Sequence, residues 1–222
     1  MQRESICNLE YNKEEPFLNI HPDFSSEEAD VVLACKESTL HFRLHSFTLK
    51  STSGFFQTMF SLPQYVLLNA SHRLDDRSCI QRNSIGQSNI IYLQEDAEVL
   101  EPLFRMACGL PFSDITSLDL LEAVIYAAEK YDMPGPMSTL RLCLLSPSLP
   151  DDPIRLYAIA RKHDWMEVAK PLSTRTLSLN IWDTIHQPAL RTASAEALLD
   201  LFMLHRSRKD RRAFRFICKT NP

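Results

Sequence analysis

Residues 29–61 read ADVVLACKESTLHFRLHSFTLKSTSGFFQTMFS, from Ala29 to Ser61, and a change of period inside this run sets the architecture. Val31 and Leu33 alternate with Val32 and Ala34, and Phe42 and Leu44 alternate with Arg43 and His45. β-Branched and aromatic residues at a period of two suit a pleated, half-buried surface. The polar Lys36, Glu37 and Ser38 between the two runs predict a turn, and hence a hairpin. From His45 the period becomes helical, with Phe47, Leu49 and Lys50, then Phe55, Phe56, Met59 and Phe60. Phe55, Phe56, Met59 and Phe60 together carry too much apolar surface for a loop.

The ordered pattern Asp30-Val31-Val32, Phe42-x-x-His45-x-x-x-Leu49 and Ser53-Gly54-Phe55-Phe56-x-x-Met59-Phe60-Ser61 resembles the opening of a BTB/POZ domain. Further along, Leu120 to Met133 (LLEAVIYAAEKYDM) resembles the helix of that family that ends in Ala-x-Lys-Tyr-Asp-Met. The resemblance implies an α+β fold, a small sheet with a helical cluster, over residues 21–147. The helices beyond, at 150–218, resemble the extension that follows this domain in fungal proteins. It also implies a non-enzymatic protein-interaction module, homodimeric or an adaptor, with a role in recruiting substrates to ubiquitin ligases. The dimer seam would draw on Asp30, Val31, Phe42, His45, Phe47 and Leu49. Ser46 stands where the family often has a basic residue beside its histidine. A cullin-type scaffold would meet Phe60, Leu62 and Tyr131, although Gln64 stands where cullin-binding members have an acid.

The 222-residue chain allows one ordinary domain or two small ones. Its apolar fraction of 45% and charged fraction of 23% are those of a globular protein with a sizeable core. A net charge of −4 gives no bulk affinity for polyanions, yet the charge is unevenly placed. Residues 1–30 hold eight acids against two bases, and residues 200–222 hold seven bases against two acids. Such asymmetry marks a tail or a docking face. The cysteines, Cys7, Cys35, Cys79, Cys108, Cys143 and Cys218, form no CxxC pair and sit mostly in apolar runs. That usage points to buried thiols in a reducing compartment, nucleus or cytoplasm. No signal-peptide core opens the chain and no apolar run approaches the ~20 residues that span a bilayer, so no membrane role is expected.

Beyond the opening 20 residues, which are polar, acidic and expected to be disordered, the hairpin and helix pair lead to Pro63. Residues 63–88 have no period and read as an irregular insert: a tolerated surface loop, or intron sequence left in the gene model. Asn89 to Gln94 returns to strand character. Asp96 is placed to cap a helix whose Leu100, Leu103, Phe104 and Ala107 share one face. Pro102 predicts a kink or late start there, and Gly109 and Pro111 a stop. Thr116 and Asp119 fit a capping box ahead of a helix apolar nearly all round, which Pro134-Gly135-Pro136 breaks. Met137–Leu145 gives a further helix, and Ser146–Asp152 a boundary. Helices follow from Pro153, over Trp165–Leu179, and over Ala195–Phe202, before the basic run to Lys219.

Chemistry-bearing motifs are sparse. No GxGxxG, phosphate loop, GxSxG or HExxH occurs, and four glycines leave little for a phosphate cradle. His41 and His45 are four apart, which would suit a metal pair on a helix. They straddle a strand end and a helix start, so structural roles are the simpler reading. No enzyme, cofactor, metal or small-molecule substrate is therefore expected. Arg208, Lys209, Arg211 and Arg212, with Phe214 and Phe216 interleaved, would suit nucleic acid or a solvated helix end. The rival function is thus a nucleic-acid-associated transcriptional regulator acting through this tail.

Overall fold

A computed structural model of the chain describes residues 18–36, 40–62, 89–112 and 115–220. The opening segment 1–17, the turn residues Glu37 and Ser38, and the expected insert 63–88 lie outside the described residues. The fold is α+β, and the described residues divide into two compact units, one carrying the strands and one the helices. The expected boundary at Ser146–Asp152 falls within the helical unit.

The first unit is a three-stranded sheet of β1 (Val31–Ala34), β2 (His41–Leu44) and β3 (Asn89–Tyr92), in the order β2-β1-β3. β1 and β2 are antiparallel, with Leu33 opposite Phe42, as the hairpin reading expects. β3 lies parallel to β1, pairing Leu33 with Ile91. β1 is therefore the central strand, and all four of its residues are buried rather than every second one. The half-buried expectation is corrected here: a strand hydrogen-bonded on both sides next to a parallel neighbour reads as a continuous apolar run, which Val-Val-Leu-Ala is. The outer edge of β2 is partly covered by residues 19–21. The His21 amide donates to the His41 carbonyl and the His41 amide to the Asn19 carbonyl, each at 2.8 Å. The rings of His21, Phe24 and Phe42 pack with centroids 5.3–5.5 Å apart.

The second unit begins with α1 (Ser46–Thr52) and α2 (Gly54–Ser61), a pair broken at Ser53. α3 (Ala97–Cys108) buries Leu100, Leu103 and Phe104 and ends on Gly109, whose φ of 68° needs a residue without Cβ strain. Of the two outcomes expected at Pro102, a kink or a late start, the late start does not occur: α3 begins at Ala97 and runs through Pro102. Asp96 holds the N-cap position of α3, but its side chain makes no cap hydrogen bond.

α4 (Leu118–Lys130) buries Leu118, Leu121, Val124, Ile125, Ala127 and Ala128, as a central helix should. Its cap is Ser117, not Thr116, and Asp119 pairs with Arg155 instead of closing a capping box. α5 (Pro134–Cys143) follows the expected break after α4 but starts at Pro134 rather than at Met137. A first-turn proline has no intrahelical amide to lose and its φ is already helical.

α6 (Pro153–Lys162) is capped by the Asp152 carboxylate on the Arg155 amide, 3.1 Å. α7 (Met166–Thr176), α8 (Gln187–Thr192) and α9 (Ala195–Thr220) complete the unit. α9 does not stop near Phe202: it continues through the basic run, whose Arg, Lys and Ala are good helix formers.

Candidate interaction site

The residues quoted from two distant parts of the sequence, Ser53–Phe56 and Lys130–Met133, meet at one corner of the helical unit. Ser53 is buried, has extended backbone, and accepts from the Phe56 amide at 3.1 Å to start α2. Its hydroxyl donates to the Tyr131 carbonyl at 2.5 Å. The Gly54 amide donates to the Asp132 carbonyl at 2.9 Å. A Cβ on Gly54 would lie 2.0 Å from Asp132 Oδ2, so close approach rather than an unusual φ explains the glycine. Asp132 itself sits at φ 48°, turning the chain from α4 toward α5.

An aromatic cluster fills this corner. The Tyr131 ring lies 5.6 Å from Phe56, nearly parallel, and 5.4 Å from Phe55, tilted edge-on. Phe56 in turn stacks on Phe60, whose ring has Lys50 Nζ 5.5 Å from its centroid. Tyr131 Oη donates to Glu95, and Lys130 Nζ pairs with the other Glu95 oxygen at 2.6 Å. Burial, then the Glu95 hydrogen bond and charge, raise the Tyr131 phenol well above its ordinary pKa.

The residues expected at a dimer seam separate by exposure. Val31, Phe42 and Leu49 are buried within the chain. Asp30 and His45 are exposed, and Phe47 is the most open at 80%. Of the residues expected to meet a cullin-type scaffold, Leu62 is 58% exposed, Phe60 is half-buried and Tyr131 is 1% exposed. Tyr131 is thus closed to direct contact and packs against Phe55 and Phe56. Phe55, which the sequence reading did not single out for contact, is exposed on α2. Glu95, on the chain between β3 and α3, was also missed, because nothing local marks an acid whose partners lie 35 and 36 residues away.

His41 and His45 lie in different surroundings. His41 is buried in β2 with Nδ1 3.3 Å from the Asn19 carbonyl, and His45 is exposed beyond the strand. Among the described residues no group of three or more His, Cys, Asp or Glu is placed to hold a metal ion. The Cys35 thiol donates to the Leu40 carbonyl at 3.2 Å, and burial raises the pKa of Cys108 away from the thiolate. No described helix is long and apolar enough to cross a membrane. Arg208, Lys209 and Arg211 are exposed on α9, whereas the Arg212 side chain lies outside the described residues.

No protein-family model matches the chain, and no curated protein matches it.

Proposed function

We propose that this chain is a non-enzymatic protein-interaction module resembling a BTB/POZ domain with a helical extension, acting by homodimerisation or as an adaptor in ubiquitin-ligase substrate recruitment. The supporting observation is the joining of its two family-like motifs, Ser53–Gly54 and Tyr131–Asp132, through hydrogen bonds of 2.5 and 2.9 Å. Ser53 and Tyr131 at that junction are buried, while α1, α2 and the residue after them present Phe47, Phe55 and Leu62 to solvent. Exposed large apolar side chains on a fixed scaffold suit a partner better than a substrate. Protein partners are the expected ligands, in the nucleus or cytoplasm.

Light scattering on the full chain tests the homodimer. A dimer that Phe47→Asp converts to monomer is the expected result, and a wild-type monomer at high concentration overturns it. Titration with a cullin N-terminal domain tests the adaptor role, which predicts binding that Leu62→Asp abolishes. The rival reading, a transcriptional regulator on nucleic acid, has the exposed cations of α9 in its favour. Duplex DNA binding with a steep salt slope, lost on Arg208→Glu and Lys209→Glu, is its signature.

A further inference from the structure

The C-terminal helices carry a second surface, independent of the α1–α2 face. α9 is anchored on its inner side: Ala197 and Leu201 are buried, and Tyr157 Oη donates to the Ala197 carbonyl at 3.1 Å. Arg161 Nη2 donates to Asp200 Oδ2 at 2.8 Å. Another stripe of the same helix faces away from that anchor. Leu199, Phe202, Met203 and Arg206 fall at i, i+3, i+4 and i+7, one helical face.

Opposite this stripe runs the segment after α7, from Leu177 to Trp182, and the two enclose a groove of about 790 Å³. The Trp182 and Phe202 rings stack at 5.0 Å and an interplanar angle of 17°. Ile181 is buried at the base of that segment, yet Trp182 is 72% exposed and Met203 67%. An open apolar wall of this size fits a partner's side chains. At its far end the lining turns basic, with Arg206, Arg208 and Lys209. The neighbouring acid on this stretch of α9 is Asp210, which does not line the groove, and Asp200 is committed to Arg161.

We propose that this groove docks an acidic amphipathic segment of a partner protein. Two large apolar side chains of that segment would pack against Trp182, Phe202 and Met203, and its carboxylates would lie along Arg206, Arg208 and Lys209. From Leu199 to Lys209 the helix rises about 15 Å, the length of a partner helix of about ten residues. Charge complementarity selects the acidic occupant, because a neutral apolar segment would leave three cations at the rim without a counter-charge.

The test is fluorescence anisotropy with the full chain and a labelled 15-residue synthetic peptide of Leu, Trp, Asp, Glu and Ala. A control peptide keeps its charge but has Ser at the apolar positions. The acidic amphipathic peptide is expected to bind. Affinity should fall about tenfold on Trp182→Ala and again on Arg206→Glu, and the control peptide should bind at least about tenfold more weakly. Trp182 and Arg206 are exposed, and circular dichroism of each variant checks that the fold is kept. Equal binding of the two peptides overturns the proposal. So does indifference to Trp182→Ala, and so does a DNA duplex that binds more tightly than the peptide through the same cations. A chain that gains about tenfold affinity when residues 1–17 are deleted would show that its own acidic terminus occupies the groove, which also overturns the partner assignment. A dimer that Trp182→Ala dissociates, with no peptide binding, would assign the face to a second copy instead.

Discussion

Gly54 and Asp132 stand 78 residues apart and touch as closely as backbone permits. The glycine amide donates to the Asp132 carbonyl at 2.9 Å, and the Asp132 carboxylate occupies the place where a Gly54 side chain would be. Gly54→Ala should therefore force the carboxylate aside and cost about 1–2 kcal/mol. Asp132→Gly removes the obstruction and also suits the positive φ at that position, so the double variant should recover stability relative to Gly54→Ala alone. Urea denaturation of the four proteins checks this. An unchanged midpoint for Gly54→Ala would show that the corner has room to spare.

Ser53 performs two tasks with one hydroxyl, capping α2 and holding the Tyr131 carbonyl. Ser53→Ala leaves a buried carbonyl and an amide short of partners, a loss of about 1–2 kcal/mol. Ser53→Thr keeps the hydroxyl and should lose less. Thermal unfolding of the two variants separates hydroxyl chemistry from simple packing.

Tyr131 predicts an alkaline limit to stability. Its folded pKa is raised above the unfolded value of 10.0, so its contribution is fully present below pH 10. That contribution is lost as pH rises beyond 10 toward the folded value. Spectrophotometric titration of the six tyrosines should show late ionisation of Tyr131 and of Tyr157, whose phenol burial also raises. Tyr131→Phe should remove part of that late amplitude and leave the part that belongs to Tyr157. An undiminished late amplitude would show that Tyr131 does not contribute to it.

α9 is tied to α6 by Arg161 to Asp200 and by Tyr157 to the Ala197 carbonyl. The Arg161 side chain is 10% exposed, and its Nε has no hydrogen-bond partner among the described residues. Asp200→Ala should therefore leave that poorly solvated cation with only the longer Glu196 contact, 3.9 Å, and cost about 1–2 kcal/mol, more than an exposed ion pair would. Hydrogen exchange should quicken first in the N-terminal turns of α9. Uniform loss of protection across α3 and α4 would contradict a local tie.

Much of this architecture could be read along the chain. The strands at Val31 and Phe42, the helix pair over Phe47 to Phe60, and the central α4 each follow from period, propensity and breakers within a dozen residues. The misreadings were also local: Ser117 in place of Thr116 as a cap, α5 starting at Pro134 rather than at Met137, and α9 running on past Phe202.

Other features had no local trace. A run of Val-Val-Leu-Ala does not say which strands flank it, so the parallel pairing with β3 and the burial of both faces of β1 came from the assembled sheet. The contacts of Gly54 with Asp132 and of Glu95 with Tyr131, and the stacking of Trp182 on Phe202, join residues far apart in sequence. Hydrophobic period reports whether a side chain seeks burial, and it carries no address for the partner. Helices and strands were therefore legible from short-range chemistry, whereas the aromatic corner around Tyr131 and the C-terminal groove exist only where the folded chain brings distant surfaces together.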